Sequence, residues 1–151
     1  PGAHPLPDDF FLFVVRAKQT LFPCSADPER VNAYLLGRAL AESHLLTAMQ
    51  PFACDLLVLA GFMRNLTPYF IDRVSPDRDH PRIMNIHPAL LPAFPGTDGY
   101  GDTFRYGCKV AGCTVHFVDY GEDSGPIIGQ RAFPIREEDT LETVRRRGLE
   151  Q

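Results

Sequence analysis

Residues 55–60, Asp-Leu-Leu-Val-Leu-Ala, form an unbroken apolar run that stops at Gly61. A run of that length and composition suits a strand buried on both faces, as in a parallel sheet covered by helices. The neighbouring segments must then supply the partner strands and the covering helices, and they read that way. Asp27 before Pro28 is a helix start, a capping side chain ahead of a proline at the first helical position. Val31, Leu35, Leu45, Leu46 and Met49 give that helix a partial apolar face, and Pro51 stops it. Thr67-Pro68 opens a shorter helix, with Leu66 and Ile71 spaced as a hydrophobic staple.

Residues 82–86 read as the next strand, leading into His87-Pro88, and residues 113–118 and 127–133 as two more. The last two flank the short loop 119–123, and Pro134 limits the second. Asp139-Thr140-Leu141-Glu142 has capping-box character and begins a final helix. Towards the N-terminus, residues 11–15 read as a short strand, 1–10 as loop or tail and 21–26 as a connector. The expected fold class is α/β: an open, mostly parallel twisted sheet with flanking helices and an antiparallel addition near its end. Ligands on such sheets sit at the carboxyl ends of strands, where Gly61-Phe62-Met63-Arg64 and His87 both fall.

Bulk properties narrow the class of partner. A chain of 151 residues forms one domain with room for a real core. A net charge of −4 gives no electrostatic footprint for nucleic acid, and Arg145-Arg146-Arg147 is too short to alter that. No apolar run approaches the roughly 20 residues that span a bilayer, and Pro1-Gly2-Ala3-His4 lacks the charged and apolar regions of a signal peptide. Cys24, Cys54, Cys108 and Cys113 contain no C-x-x-C pair and are expected to be reduced thiols of a cytoplasmic protein. The chain opens on Pro1 rather than Met and stops at Gln151 inside a charged, helix-like stretch, so both ends are expected to be cut.

Chemistry concentrates around Asn85-Ile86-His87-Pro88-Ala89-Leu90-Leu91-Pro92-Ala93-Phe94-Pro95-Gly96 and Asp123-Ser124-Gly125-Pro126. Pro88 restricts His87 to extended backbone, which places the imidazole rather than leaving it free. Such a ring serves as an acid or as a hydrogen-bond donor to a developing oxyanion; the bland alternative is a hydrogen-bonded or surface histidine. Asn85 lies two residues earlier and so faces the same side of an extended segment. Two donors aimed at one carbonyl oxygen make an oxyanion hole, each worth about 3–4 kcal/mol where water is excluded. The other reading of Asn85 is a turn cap. Asp123 sits in a loop of turn-forming residues and is either simply solvated or brought beside His87, where it would favour the imidazolium and relay a proton. His116 alternates with apolar neighbours and reads as a core or sheet-face residue, and His80, His87 and His116 have poor metal-ligand spacing.

With those residues quoted, the chain resembles the phosphoribosylglycinamide formyltransferase (glycinamide ribonucleotide transformylase) family. Val58-Leu59-Ala60-Gly61-Phe62-Met63-Arg64, Thr114-Val115-His116-Phe117-Val118 and Asp123-Ser124-Gly125-Pro126-Ile127-Ile128-Gly129-Gln130 also fit it, in order, across residues 55–143. The resemblance implies a Rossmann-type formyltransferase domain over residues 1–151, and transfer of a formyl group from 10-formyltetrahydrofolate to the amine of glycinamide ribonucleotide in purine biosynthesis. It implies that Asn85, His87 and Asp123 are catalytic. It also implies that folate is bound by Met63, Arg64, Asn65 and Leu66, by Asn85, and by the loop of Asp119, Tyr120, Gly121, Glu122 and Asp123. No metal, nucleic acid or membrane is implied, and the partners are small molecules, with a monomer or homodimer as the assembly.

Two departures from the family pattern bear on activity. Nothing in residues 1–30 matches the Gly/Ser/Asn-rich loop that cradles the ribonucleotide phosphate, so the 151 residues are expected to be catalytically incomplete. Residues 97–109, including Asp98-Gly99-Tyr100-Gly101-Asp102, also differ from the common pattern. The alternatives are a formyltetrahydrofolate hydrolase, with water as acceptor, another formyl-folate enzyme such as the methionyl-tRNA formyltransferase, or a non-catalytic folate-binding fragment. Pro92-Ala93-Phe94-Pro95-Gly96 favours the ribonucleotide enzyme, and the negative charge disfavours tRNA.

Overall fold

The computed structural model describes residues 28–52 and 54–151. In chain order these hold α1 (Pro28–Met49), β1 (Leu57–Leu59), α2 (Pro68–Val74), β2 (Ile83–His87), α3 (Gly99–Tyr106), β3 (Val110–Phe117), β4 (Ile127–Pro134) and α4 (Leu141–Leu149). The expected strand at 11–15, the connector at 21–26 and the Asp27 cap lie outside the described residues. The four strands make one open sheet in the order β1-β2-β3-β4. β1 and β2 are parallel, with α2 in the crossover; β2–β3 and β3–β4 are antiparallel.

The open α/β sheet with flanking helices is as expected, but among the described strands it is mixed rather than mostly parallel. The reversal comes one strand early, and the register gives the reason. Thr114 of β3 pairs with His87, the last residue of β2. The chain therefore enters β3 at the end where β2 finished, and β3 can only run back antiparallel. A parallel partner would require the connection to carry the chain the full length of β2 first. The apolar run 55–60 also yields less strand than expected. Only Leu57–Leu59 pair, and Val58 between them is 51% exposed. β1 ends the sheet order, and α1 and α2 pack on the face that carries Leu57 and Leu59.

That face holds one core: Leu66, Phe70, Ile71 and Ile83, joined by Leu46 and Met49 of α1 and by Leu57, Leu59 and Val118. Burying each large side chain there contributes about 1.5–3 kcal/mol. Leu45, read as part of the α1 face, is instead 39% exposed, one position off the row that contacts the sheet. α2 starts as its sequence dictates: Thr67 caps Phe70 N–H through its side chain, Pro68 occupies the first turn, and Leu66 meets Ile71 in the core. α1 adds to this cap, because the Glu42 carboxylate accepts from the Thr67 N–H at 2.9 Å and from its hydroxyl.

The opposite face carries a second core of Tyr100, Ala111, Phe133 and Val144, which places α3 and α4 there. Gly148 of α4 lies so close to the Tyr100 ring that a Cβ would fall 2.2 Å from Cζ. α4 is capped by Thr140 and Thr143 reciprocally, with Thr143 rather than Glu142 completing the capping box. No helix among the described residues is long and apolar enough to cross a membrane.

Candidate active site

β2 delivers Asn85 and His87 to one face of the sheet, and β3 sets a partner opposite each: His116 against Asn85, Thr114 against His87. His87, Thr114 and His116 are buried. Thr114 fixes the backbone that follows His87. Its hydroxyl donates to the Ala89 carbonyl at 2.7 Å and accepts from the Leu91 N–H at 3.0 Å and the Gln130 side chain at 3.0 Å. Gln130 also donates to the Leu91 carbonyl at 2.8 Å. The chain thus folds back over His87, and Phe94, in left-handed backbone at φ 55°, turns its carbonyl onto His87 Nε2 at 2.8 Å. A carbonyl only accepts, so Nε2 carries a proton.

Asp123 reaches the same point from the loop between β3 and β4. The loop braces itself: the Asp119 carboxylate accepts from Gly121 N–H at 3.0 Å and from the Ser124 hydroxyl at 2.6 Å. Gly125 lets it pass close to β3, since a Cβ there would lie 1.9 Å from the Phe117 carbonyl. Asp123 itself is at φ 50°. Its Oδ2 accepts from Gly96 N–H at 2.8 Å and stands 3.3 Å from His87 Nδ1; its Oδ1 is 3.6 Å from His116 Nε2. Asn85 Nδ2 is 3.3 Å from that same His116 nitrogen. Asn85, His87 and Asp123, 38 residues apart at the extremes, are therefore one cluster, and His116 stands inside it.

The cluster opens on a cavity of about 1020 Å³. Met63, Arg64, Asn65 and Leu66, after β1, line one side, and Asp119, Gly121, Glu122 and Asp123 line another. Tyr120, expected among the folate-binding residues, does not line it. The loop turns its side chain outward, where the hydroxyl donates to Asp72, accepts from Arg78 at 2.5 Å, and the ring lies 4.6 Å beneath the Arg78 guanidinium. The Asp72 carboxylate raises the Tyr120 phenol above its ordinary value. Tyr100, on the wall formed with Gly148, is pushed up to about 12, chiefly by burial. No group of three His, Cys, Asp or Glu side chains among the described residues is arranged to hold a metal ion.

Such a site can hold an acyl compound in the cavity, place donors on a carbonyl oxygen that becomes negative, and pass a proton along a carboxylate–imidazole edge. Thr114 and His116 are the residues that the sequence reading did not single out for the site. Their signal was present: once strands 82–86 and 113–118 are paired antiparallel, the alternation Thr114-Val115-His116 puts both polar side chains on the face of Asn85 and His87.

Residues 14–151 match the family model described as formyl transferase. The chain is 46% identical over 110 residues to the phosphoribosylglycinamide formyltransferase of Bacillus subtilis, covering 73% of this chain and 54% of that protein. It is 52% identical over 93 residues to the Mycobacterium tuberculosis protein of the same name, covering 62% and 41%. A crystal structure of phosphoribosylglycinamide formyltransferase from Bacillus halodurans superposes with a TM-score of 0.67 at 42% identity, over 72% of this chain and 54% of that one. The chain spans about half the length of these relatives.

Proposed function

We propose that this chain, which belongs to the formyl transferase family, carries the formyl-donor site of a phosphoribosylglycinamide formyltransferase. The full-length protein then transfers a formyl group from 10-formyltetrahydrofolate to the amine of glycinamide ribonucleotide. The observation that carries this reading is the meeting of Asn85, His87 and Asp123 at the mouth of one large cavity. About 1020 Å³ suits a drug-sized or larger organic ligand. Residues 63–66 and Asp119, Gly121, Glu122 and Asp123 supply its walls; the Asp119 side chain is engaged within the loop, which leaves backbone groups there to meet the ligand.

Each residue takes a role that its contacts permit. The substrate amine forms a bond to the formyl carbon while the carbonyl electron pair moves onto oxygen. The free Asn85 N–H and the proton on the Nδ1 edge of His87 stabilise that oxyanion. Because Nε2–H of His87 is held by the Phe94 carbonyl, the Nδ1 edge facing Asp123 carries the mobile proton. Asp123, fixed by Gly96 N–H, orients the ring and takes a proton from the attacking nitrogen. The nitrogen that leaves gains a proton as its bond to the formyl carbon breaks, so the formyl group goes one way and one proton the other.

The test is an assay of the full-length protein with both substrates. Formyl transfer dependent on glycinamide ribonucleotide is expected. Absence of transfer, or release of formate from the folate at the same rate without the amine, would overturn the assignment in favour of a folate-binding or hydrolytic role.

A further inference from the structure

We propose that His116 is a positioning residue for this chemistry. As a neutral ring it fixes the carboxamide of Asn85 and leaves Asp123 turned towards His87. The proposal rests on the function assigned above and concerns how its donor and its carboxylate are aimed. The ring is 2% exposed and directly opposite Asn85 in the β2–β3 register. A buried imidazole on a sheet face costs stability unless its nitrogens find partners. Its hydrogen-bond partners are one backbone carbonyl and Asn85 of the cluster, with the Asp123 carboxylate 3.6 Å away.

Donor and acceptor chemistry fixes the tautomer. Nδ1 lies 2.8 Å from the Phe117 carbonyl, which only accepts, so Nδ1 carries the proton. Nε2 lies 3.3 Å from Asn85 Nδ2, an amide nitrogen that only donates, so Nε2 presents its lone pair. One Asn85 N–H is thereby anchored on β3, and the second is left for an oxyanion in the cavity. Asp123 Oδ1, 3.6 Å from the same lone pair, gains nothing from it. The carboxylate keeps its Oδ2 contacts with Gly96 and His87 instead. A proton on Nε2 would undo both, releasing Asn85 and drawing Oδ1 across. The two histidines flanking Asp123 thus differ in kind: His87 turns its mobile edge to the carboxylate, whereas His116 must not.

The experiment uses the full-length protein and the variants His116→Phe, His116→Gln, Asn85→Ala and the Asn85→Ala/His116→Phe pair. His116→Phe is expected to lower kcat by about 10- to 100-fold, with KM for both substrates within about threefold, as expected for a misaimed oxyanion donor. His116→Gln, whose Oε1 can accept from Asn85, should recover most of that loss. In the Asn85→Ala background the Phe substitution should cost less than about threefold, because the residue it acts through is gone. Nitrogen NMR of the wild type should show His116 with Nδ1 protonated and Nε2 bare. An undiminished cost of His116→Phe without Asn85, or a protonated Nε2, overturns the proposal. The spectrum decides it even if the Phe variant does not fold. Wild-type protein with no transfer activity would defeat the functional assignment and leave the spectrum to judge His116 separately.

Discussion

Two regions of the molecule use charge in opposite ways. Where α3 and α4 meet, carboxylates are saturated by guanidinium groups at short range. Asp98 accepts from Arg105 and from Arg145, each at 2.8 Å, and Asp139 holds Arg147 at 2.7 and 2.9 Å. Arg105 draws the Asp98 carboxyl below the usual range, and Arg147 does the same to Asp139. At the carboxyl end of β2 a single carboxylate stands between two imidazoles at 3.3 and 3.6 Å, only the His87 edge able to donate to it, and its side chain is 14% exposed. Contacts of the first kind are already made and have little left to do. Contacts of the second kind are long, unsaturated and able to change partner, which is what proton transfer requires. On that contrast, substitutions in the cluster should remove activity at little cost in stability, and substitutions in the helix-end ion pairs should do the reverse.

The sharpest test is Asp123→Asn. The amide oxygen can still accept from Gly96 N–H, so the loop keeps its anchor, but the charge beside His87 is lost. A fall in kcat of about 10²- to 10⁴-fold is expected, the range for a positioned proton-transfer group, with the urea unfolding midpoint nearly unchanged. A variant that unfolds early while the remaining folded fraction turns over normally would reverse the comparison.

At the other end, packing should outweigh the ion pairs. Gly148→Ala inserts a methyl group where the Tyr100 ring already sits, and something must shift. Overpacking of this kind costs about 1–3 kcal/mol, read from urea unfolding. The same variant offers a spectroscopic readout, because burial is what pushes the Tyr100 phenol to about 12. Displacing the ring towards solvent should bring its titration down towards the ordinary value near 10.

Asp139→Asn should cost less. Half-exposed pairs such as Asp98–Arg105 contribute little, and the Asp139–Arg147 pair, with exposures of 5% and 24%, is the better sheltered one. Asp139 has a folded pKa below its unfolded value, so its contribution is complete above the unfolded carboxylate value near 4 and is lost as pH falls through the depressed one. The Asn variant should therefore melt a few degrees lower at neutral pH, with the gap to wild type closing in strong acid and activity unaffected. A gap that widens in acid would sink this account.

Much of this layout was legible in the sequence, and the illegible parts share a cause. The Thr67-Pro68 start, the Thr140 cap and the same-side pairing of Asn85 and His87 are local, set by dihedral preferences and a two-residue period. The early reversal of the sheet, the solvent-facing Val58 and the outward Tyr120 depend on where the chain re-enters the sheet and which way a loop rolls, and no window of residues encodes that. His116 belongs to the same group. Its spacing from apolar neighbours marked a sheet face, but only the β2–β3 register shows which face and which partner. The family match from residue 14 likewise extends ahead of residues 55–143, where the motifs are dense enough to read by eye.

Glu42 gives the smallest expected effect and the most direct check on sign. Burial raises its carboxyl above the ordinary 4.5, although its bonds to Thr67 and the nearby Arg38 charge pull the other way. A carboxyl raised in the folded state binds its proton more tightly there than in the unfolded chain. The ionised form at neutral pH therefore subtracts from stability, and the deficit is relieved as pH falls through the raised value. This is the opposite slope to that of Asp139. Glu42→Gln keeps an oxygen to accept from the Thr67 N–H and removes the charge. Its unfolding midpoint should match or slightly exceed the wild type at pH 7, and its advantage should vanish as the wild type gains stability on mild acidification. A Gln variant clearly weaker at pH 7 would mean that the ionised carboxylate stabilises the α1–α2 junction, and buried charge would then be a structural device in this fold as well as a catalytic one.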